Sequence, residues 1–205
     1  MGSSFGCTML YNAKNVPISE IELTFQEVLA ENSARLKERL SKFSLFEISG
    51  FPDGAMLYKP GSPWVSTLEN ATISGFDPSS IGPHASRYAN AFGLPVMAVS
   101  VFDSDILLLA FCNPEALPVV FAATHNDIKE DPLLCEEYEI TSEQLTFPEP
   151  LEQYATSEEL SKLREIWQAD VVCIEEIVFD IANILDFSVI HDQQEEIEGY
   201  IYTEI

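Results

Sequence analysis

The sequence is poor in basic residues, and this shortage excludes two classes of partner. Ten Lys and Arg stand against 34 Asp and Glu in 205 residues, so the formal net charge is -24. Four of these bases cluster towards the C-terminal end of one predicted helix, where cations interact favourably with the helix dipole; they are Arg35, Lys37, Arg39 and Lys42. Nucleic-acid binding needs Lys and Arg to neutralise phosphates, and acidic proteins repel anionic lipid. We therefore expect neither a nucleic-acid nor a membrane partner.

Long apolar runs and paired cysteines are also missing. The longest apolar runs, residues 106–112 and 117–123, are too short to span a bilayer, and the first six residues show no leader pattern. The four cysteines have no C-x-x-C spacing; they are Cys7, Cys112, Cys135 and Cys173. These absences predict a cytoplasmic protein with free thiols.

Recognisable catalytic and cofactor motifs are absent too. The sequence has no Gly-rich phosphate loop, no G-x-S-x-G and no H-E-x-x-H, so we predict no cofactor and no metal. It has three histidines, His84, His125 and His191. A pair of Cys112 with His84 or His125 is the candidate for nucleophilic catalysis. Cys112 continues an apolar strand pattern, however, and a thiol in that position is usually buried and inert.

What the sequence does contain is a regular series of strand and helix patterns. Strands are predicted at residues 5–11, 43–49, 55–59, 63–69, 96–101, 106–112 and 119–124. Amphipathic helices are predicted from residue 20 to about 41, from Asp77 to about Phe92, after Thr156 and after Asp170. This order indicates an α+β fold with a mixed or antiparallel sheet and helices packed on it, and it resembles an uneven repeat of a βαββ unit.

The acidic residues are concentrated in the C-terminal part of the chain. Residues 1–125 carry 12 acids and seven bases, whereas residues 126–205 carry 22 acids and three bases. We therefore divide the chain into an α+β sheet domain, residues 1–125, and an acidic, mainly helical region, residues 126–205, packed on the same core. Residues 126–155 are Pro-containing and irregular, so they are predicted to form a long surface connection.

Two aspartates interrupt the most apolar stretch of the sequence. In "VMAVSVFDSDILLLAFC", residues 96–112, Asp103 and Asp105 lie between two strand patterns. Asp and Ser favour turns because their side chains bond nearby backbone N–H groups, so a hairpin turn is the simplest interpretation. The two carboxylates form part of a site only if other acids converge on them.

A partial resemblance to known proteins lies in the same part of the chain. "SPWVSTLEN", followed by a helix ending in "ANAFGLPVMAVSVFDSDILLLAF", resembles a group of uncharacterised bacterial proteins. The match covers about residues 64–111, roughly a quarter of the chain. "CNPEALP" stands where that group more often has a short Gly-containing turn. The resemblance implies an aromatic-led strand, a helix and a hairpin, and it implies no reaction and no catalytic residue.

Two functions of different classes fit the sequence. The first is a non-enzymatic acidic binding protein that engages a basic protein partner, as immunity proteins do when they neutralise basic toxins. Its candidate binding residues are Asp103, Asp105, Glu136, Glu137, Glu139, Glu175 and Glu176. The alternative is a small hydrolase-like enzyme with a site built from His84, Cys112, His125 and Asp103. The sequence leaves the oligomeric state open.

Overall fold

Seven strands form one antiparallel sheet in the computed structural model, which describes residues 4–40, 54–69, 76–102, 104–169, 173–189 and 199–205. The strands are β1 (Phe5–Tyr11), β2 (Gly54–Tyr58), β3 (Trp64–Glu69), β4 (Val96–Phe102), β5 (Ile106–Cys112), β6 (Val119–Thr124) and β7 (Ile201–Glu204). Their spatial order is β6-β5-β4-β1-β3-β2-β7. The predicted α+β class with an antiparallel sheet is confirmed.

Six α-helices and one short 3₁₀ helix accompany the sheet in the described residues. The α-helices are α1 (Ile18–Leu40), α2 (Ile81–Phe92), α3 (Asn126–Lys129), α4 (Pro132–Glu137), α5 (Ser157–Gln168) and α6 (Ile174–Leu185), and the 3₁₀ helix is Glu149–Gln153. The reciprocal hydrogen bonds between Thr156 and Glu159 form a capping box at the start of α5, which follows Thr156 as predicted. None of the described helices is long and apolar enough to span a bilayer.

The sheet is covered by helices on both faces. Alternate residues of each strand point to opposite faces, and the apolar side chains accordingly form two large clusters. Apolar residues of α1 and α2 pack on one face of the sheet, and those of α5 and α6 pack on the other. Strands β1, β4 and β5, buried on both faces, therefore consist almost entirely of buried residues, which explains their continuous apolar runs in the sequence.

The structure differs from the sequence prediction at two helix starts. The sequence predicts α2 from Asp77, but its N-cap is Ser80, because the Asp77 carboxylate accepts hydrogen bonds from Ser79 and Ser80 and holds a turn ahead of the helix. The sequence predicts α6 after Asp170, which lies outside the described residues, and the helix begins after Cys173. The strand predicted at 43–49, Lys42, and the side chains of Arg35, Lys37 and Arg39 also lie outside the described part.

Residues 126–155 contain more regular structure than predicted. Helices α3 and α4 and the 3₁₀ helix all fall in this interval. They are short, four to six residues each, so they show too few turns for a helical periodicity to stand out in the sequence. Ile140 and Leu151 of this interval are buried on opposite faces of the sheet. The division of the chain at residue 125 stays a prediction.

Candidate functional site

A group of buried polar side chains lies on the sheet face beneath α1 and α2. We call it the Glu69 network, and its members are Thr8, Asn32, Glu69, His84, Arg87 and Tyr88. Glu69 ends β3 and is only 4% exposed. It lies on this face because it alternates with Leu68 and shares the side of Val65, which belongs to the α1/α2 cluster. A carboxylate at this depth requires partners to compensate for lost hydration.

Three side chains provide those partners. The Arg87 guanidinium donates to Glu69 Oε1 at 3.0 Å, and Asn32 donates to Glu69 Oε2 at 2.6 Å. The Tyr88 hydroxyl also donates to Oε1, and burial together with the Glu69 charge raises the pKa of Tyr88 well above its usual range. Arg87 additionally donates to Asn32 Oδ1. The network therefore ties β3 to both covering helices through one carboxylate.

His84 joins the network from the preceding turn of α2. Its Nδ1 lies 3.2 Å from an Arg87 nitrogen, and since Arg87 only donates, Nδ1 must accept. The ring proton is then on Nε2, which lies 2.8 Å from Thr8 Oγ1. Burial, with a smaller contribution from Arg87, lowers the pKa of His84 to about 3. The geometry and the pKa both describe a neutral histidine, which is a poor proton acceptor at neutral pH.

We expect His84 to make folding pH-dependent. Its folded pKa of about 3 lies below the unfolded value of about 6.5, so the unfolded state binds more protons between these limits. The stabilisation is therefore complete above about pH 6.5 and is lost as the pH falls towards 3, by up to about 1.4 kcal/mol per pH unit. Urea unfolding of the wild type and of His84→Gln between about pH 7 and 5 measures this dependence as the difference between the two proteins. A difference that stays constant over this range would contradict the prediction.

Cys112 lies apart from the Glu69 network, at the end of β5. Its thiol donates to the carbonyl oxygens of Asn113 at 3.3 Å and Ala116 at 3.4 Å. Burial raises the pKa of Cys112, so the thiol form predominates and the nucleophilic thiolate is disfavoured. All four cysteines of the chain are free thiols.

A second polar group surrounds the turn between β4 and β5. We call it the hairpin-turn cluster; it comprises Ser104, Asp105, His125, Cys173 and Glu175. His125 Nε2 lies 3.9 Å from Asp105 Oδ1 and 3.3 Å from the Ser104 carbonyl oxygen. Ser104 donates its hydroxyl to Glu175 Oε1 at 2.5 Å, and Cys173 donates to Oε2 at 2.8 Å. Asp103 lies outside the described residues.

Of the two aspartates that interrupt the apolar stretch, Asp105 belongs to this cluster. Asp105 lies 3.9 Å from His125, and the neighbouring Ser104 donates to Glu175 of α6, so the turn has polar partners from distant parts of the chain. Ser104 has a φ of 60°, the left-handed conformation that a tight turn requires. Within the described residues, no three His, Cys, Asp or Glu side chains are placed to hold a metal ion.

The predicted acidic binding residues divide between the surface and the core. Glu136, Glu137 and Glu139 are exposed around the end of α4, and Glu176 is exposed on α6. Glu175 is only 7% exposed, because it lies on the side of α6 that faces the hairpin turn. Glu175 therefore belongs to the hairpin-turn cluster and is excluded from the exposed acidic surface.

A groove of about 520 Å³ lies between the loop after β1 and the turn joining β2 to β3. Its lining includes Asn12, Asn15, Lys59 and Ser62 but no histidine, cysteine or acid. The Lys59 ammonium is 2.6 Å from Asp186 Oδ1, and the Ser62 hydroxyl donates to the Asp186 carbonyl oxygen. The enzyme hypothesis requires a cleft lined by a histidine, and this groove has no histidine in its lining.

No family model, curated protein or solved structure matches this chain. The resemblance of residues 64–111 to uncharacterised bacterial proteins therefore stays an expectation from the sequence.

Sequence reasoning singled out His84 but missed its neighbours in the Glu69 network. Two signals were available. Glu69 closes an otherwise apolar strand pattern, "WVSTLE", and Arg87 is one of only seven bases in residues 1–125. Neither signal identifies the other residue as its partner, because that pairing depends on how α2 packs on β4 and β5 relative to the end of β3.

Proposed function

We propose that the protein is a non-enzymatic binding protein that engages a basic protein partner through an acidic surface. We define this acidic surface as the exposed side chains of residues 126–169. Immunity proteins that neutralise basic toxins act through the same physical attraction. The supporting observation is the distribution of exposed charge over this interval.

The acidic surface has a large excess of carboxylates. Residues 126–169 contain 12 acids and three bases, and ten of the acids are exposed: Asp127, Glu130, Glu136, Glu137, Glu139, Glu143, Glu149, Glu152, Glu158 and Glu165. Two of the bases are already engaged, Lys162 with Glu158 at 2.9 Å and Arg164 with Glu152 at 2.6 Å. The remaining carboxylates produce a negative field that attracts a positively charged protein and accelerates its encounter.

The alternative, a small hydrolase-like enzyme, has weaker support from the described residues. His84 is neutral and enclosed by Thr8 and Arg87, and Cys112 is a buried thiol whose pKa is raised. His125 is half-buried beside Asp105, and its neighbour Ser104 donates its hydroxyl to Glu175 instead of presenting it to the histidine. The three candidate residues thus have different partners and different surroundings.

The test compares two triple variants with the same change in charge. One is Glu136→Gln/Glu137→Gln/Glu139→Gln on the acidic surface, and the matched control is Glu20→Gln/Glu27→Gln/Glu31→Gln, whose three acids are exposed on α1. The probe is cytochrome c, a strongly basic protein. We expect the first variant to lower the association rate about tenfold at low salt and the control to lower it much less.

Salt provides the second measurement. The Debye length falls from about 10 Å at 0.1 M to about 3 Å at 1 M, so the wild-type rate should fall steeply across this range. Dissociation should change less than association, since long-range attraction acts on encounter. A rate that is indifferent to salt, or equal losses in the two triple variants, would refute a localised electrostatic surface.

A further inference from the structure

The edge strand β6 has a stretch without a neighbour on its outer side. β6 is the outermost strand at one end of the sheet, and its only neighbour in the sheet is β5. Its inner side pairs with β5, Val119 opposite Phe111 and Val120 opposite Ala110. The opposite edge of the sheet is β7, so β6 is the only edge next to the acidic surface in the described part of the chain.

The direction of the outer hydrogen-bonding groups follows from one bond further along β6. Ala122 donates its N–H to the Gln144 carbonyl oxygen at 2.7 Å, which is a bond to a neighbour outside the sheet. Antiparallel strands alternate between inward and outward groups, so the N–H and C=O of Val120, two residues away, also point outward. Among the described residues no backbone group outside the ladder bonds to them.

The side chains at this open edge are apolar and exposed. Leu117 is 89% exposed and Val119 is 50% exposed. Pro118 between them packs close to Gly82 at the start of α2, which fixes the backbone here. Natural edge strands are normally protected by charge, by Pro, by a bulge or by a covering segment. Pro118 removes one donor from this edge, whereas Val120 keeps an outward N–H and C=O with no backbone partner outside the ladder among the described residues, next to the exposed Leu117 and Val119.

The surrounding charge indicates which kind of segment would pair with this open edge. The exposed Glu115 precedes this edge, and Gln144, which covers the edge at Ala122, is adjacent to the exposed Glu143 of the acidic surface. A second copy of this chain would bring another net charge of -24 to the same place, and like charges oppose such pairing. An extended segment with basic side chains is attracted instead.

We propose that residues 117–120, which lead into β6 and form its first two positions, bind an extended basic segment of the partner by strand addition. This inference rests on the proposed function and specifies how the acidic surface is used. The partner's main chain would pair with the outward groups of Val120, its apolar side chains would contact Leu117 and Val119, and its Lys or Arg side chains would face Glu115 and Glu143. Main-chain pairing supplies affinity, and the flanking acids select a basic sequence.

The test uses a fluorescently labelled peptide, acetyl-Lys-Val-Lys-Val-Lys-Val-amide, bound to the full-length protein and followed by anisotropy. In the protein, Val120→Pro removes the outward N–H without removing a bond to β5. Leu117→Gln removes the exposed apolar contact, and Leu133→Gln, at a site that is 74% exposed on α4, is the matched control. We expect the first two variants to weaken binding at least tenfold and the control to leave it unchanged.

A second peptide, with Pro in place of its central Val, separates strand addition from charge attraction. It carries the same charge but cannot complete the ladder. We expect it to bind at least tenfold more weakly, and we expect slowed amide exchange at Val120 only with the first peptide. Equal binding of both peptides, or no loss in Val120→Pro, overturns strand addition while leaving the salt-dependent association intact. If the free protein forms a dimer and Val120→Pro abolishes that dimer, a second copy of the chain pairs with this edge. That result would also overturn binding of a basic partner segment.

Discussion

Replacing Arg87 with Ala should destabilise the protein by about 3 kcal/mol or more. The substitution leaves Glu69, which is 4% exposed, as a buried carboxylate without its cation, and breaking a buried ion pair from one side costs about 3–5 kcal/mol. His84 Nδ1 loses its donor at the same time. Arg87 itself is 29% exposed, which places the expected loss at the lower end of this range. Urea unfolding followed by circular dichroism gives the free energy of unfolding.

The matched control is Arg164→Ala. Arg164 also pairs with a glutamate, Glu152, but both side chains are about half exposed, and exposed ion pairs contribute about 0–1 kcal/mol. If Arg87→Ala lowers the free energy of unfolding no more than Arg164→Ala does, water compensates the Glu69 charge. In that case the Glu69 network does not hold α1 and α2 to the sheet.

Replacing Trp64 with Ala should cost about 3–5 kcal/mol, the usual range for removing a buried large aromatic side chain. Trp64 is 3% exposed and contacts three other rings. Its ring centroid is 4.9 Å from that of Tyr11, 5.0 Å from that of Tyr154 and 5.5 Å from that of Phe187. Tyr154 and Phe187 belong to the C-terminal region, so Trp64 joins that region to the sheet.

The two tryptophans of the chain make the measurement specific. In Trp64→Ala the remaining Trp167 lies on α5 and belongs to the apolar cluster that packs on the sheet, so its fluorescence reports on the packing of the C-terminal helices. We expect its unfolding transition to move to lower urea and to coincide with the transition seen by circular dichroism. Trp64→Phe, which keeps an aromatic ring, should lower the free energy of unfolding clearly less than Trp64→Ala does. A Trp167 transition that stays in place while circular dichroism shifts would show that residues 126–205 unfold independently of the sheet.

The fold could be predicted largely because its signals are local. Strands β1, β5 and β6 have the bounds that their apolar runs indicate, and α5 starts at its capping box. A hydrophobic period or a capping pair is complete within a few residues. The short helices between residues 126 and 155 were missed because four to six residues do not complete a readable period.

The buried polar groups could not be predicted, because they depend on contacts between distant segments. Glu69 and Arg87 pair only after α2 has packed on β4 and β5, and Glu175 is buried only because α6 places it beside the hairpin turn. In the sequence, Glu175 looks the same as the exposed Glu176 next to it. Residue type and spacing indicate that a carboxylate is present, whereas tertiary packing decides whether it faces water or another side chain.

The position of β1 in the sheet has a consequence for the order in which the protein folds. The strand lies between β3 and β4, and Phe5 pairs with Val101, whereas β2 with β3 and β4 with β5 are neighbours along the chain. Closing short loops costs less entropy than closing long ones, so the local hairpins are favoured to form first. Until β1 enters between them, β3 and β4 present unpaired apolar edges. Refolding is therefore expected to be slow and to compete with aggregation as the protein concentration rises.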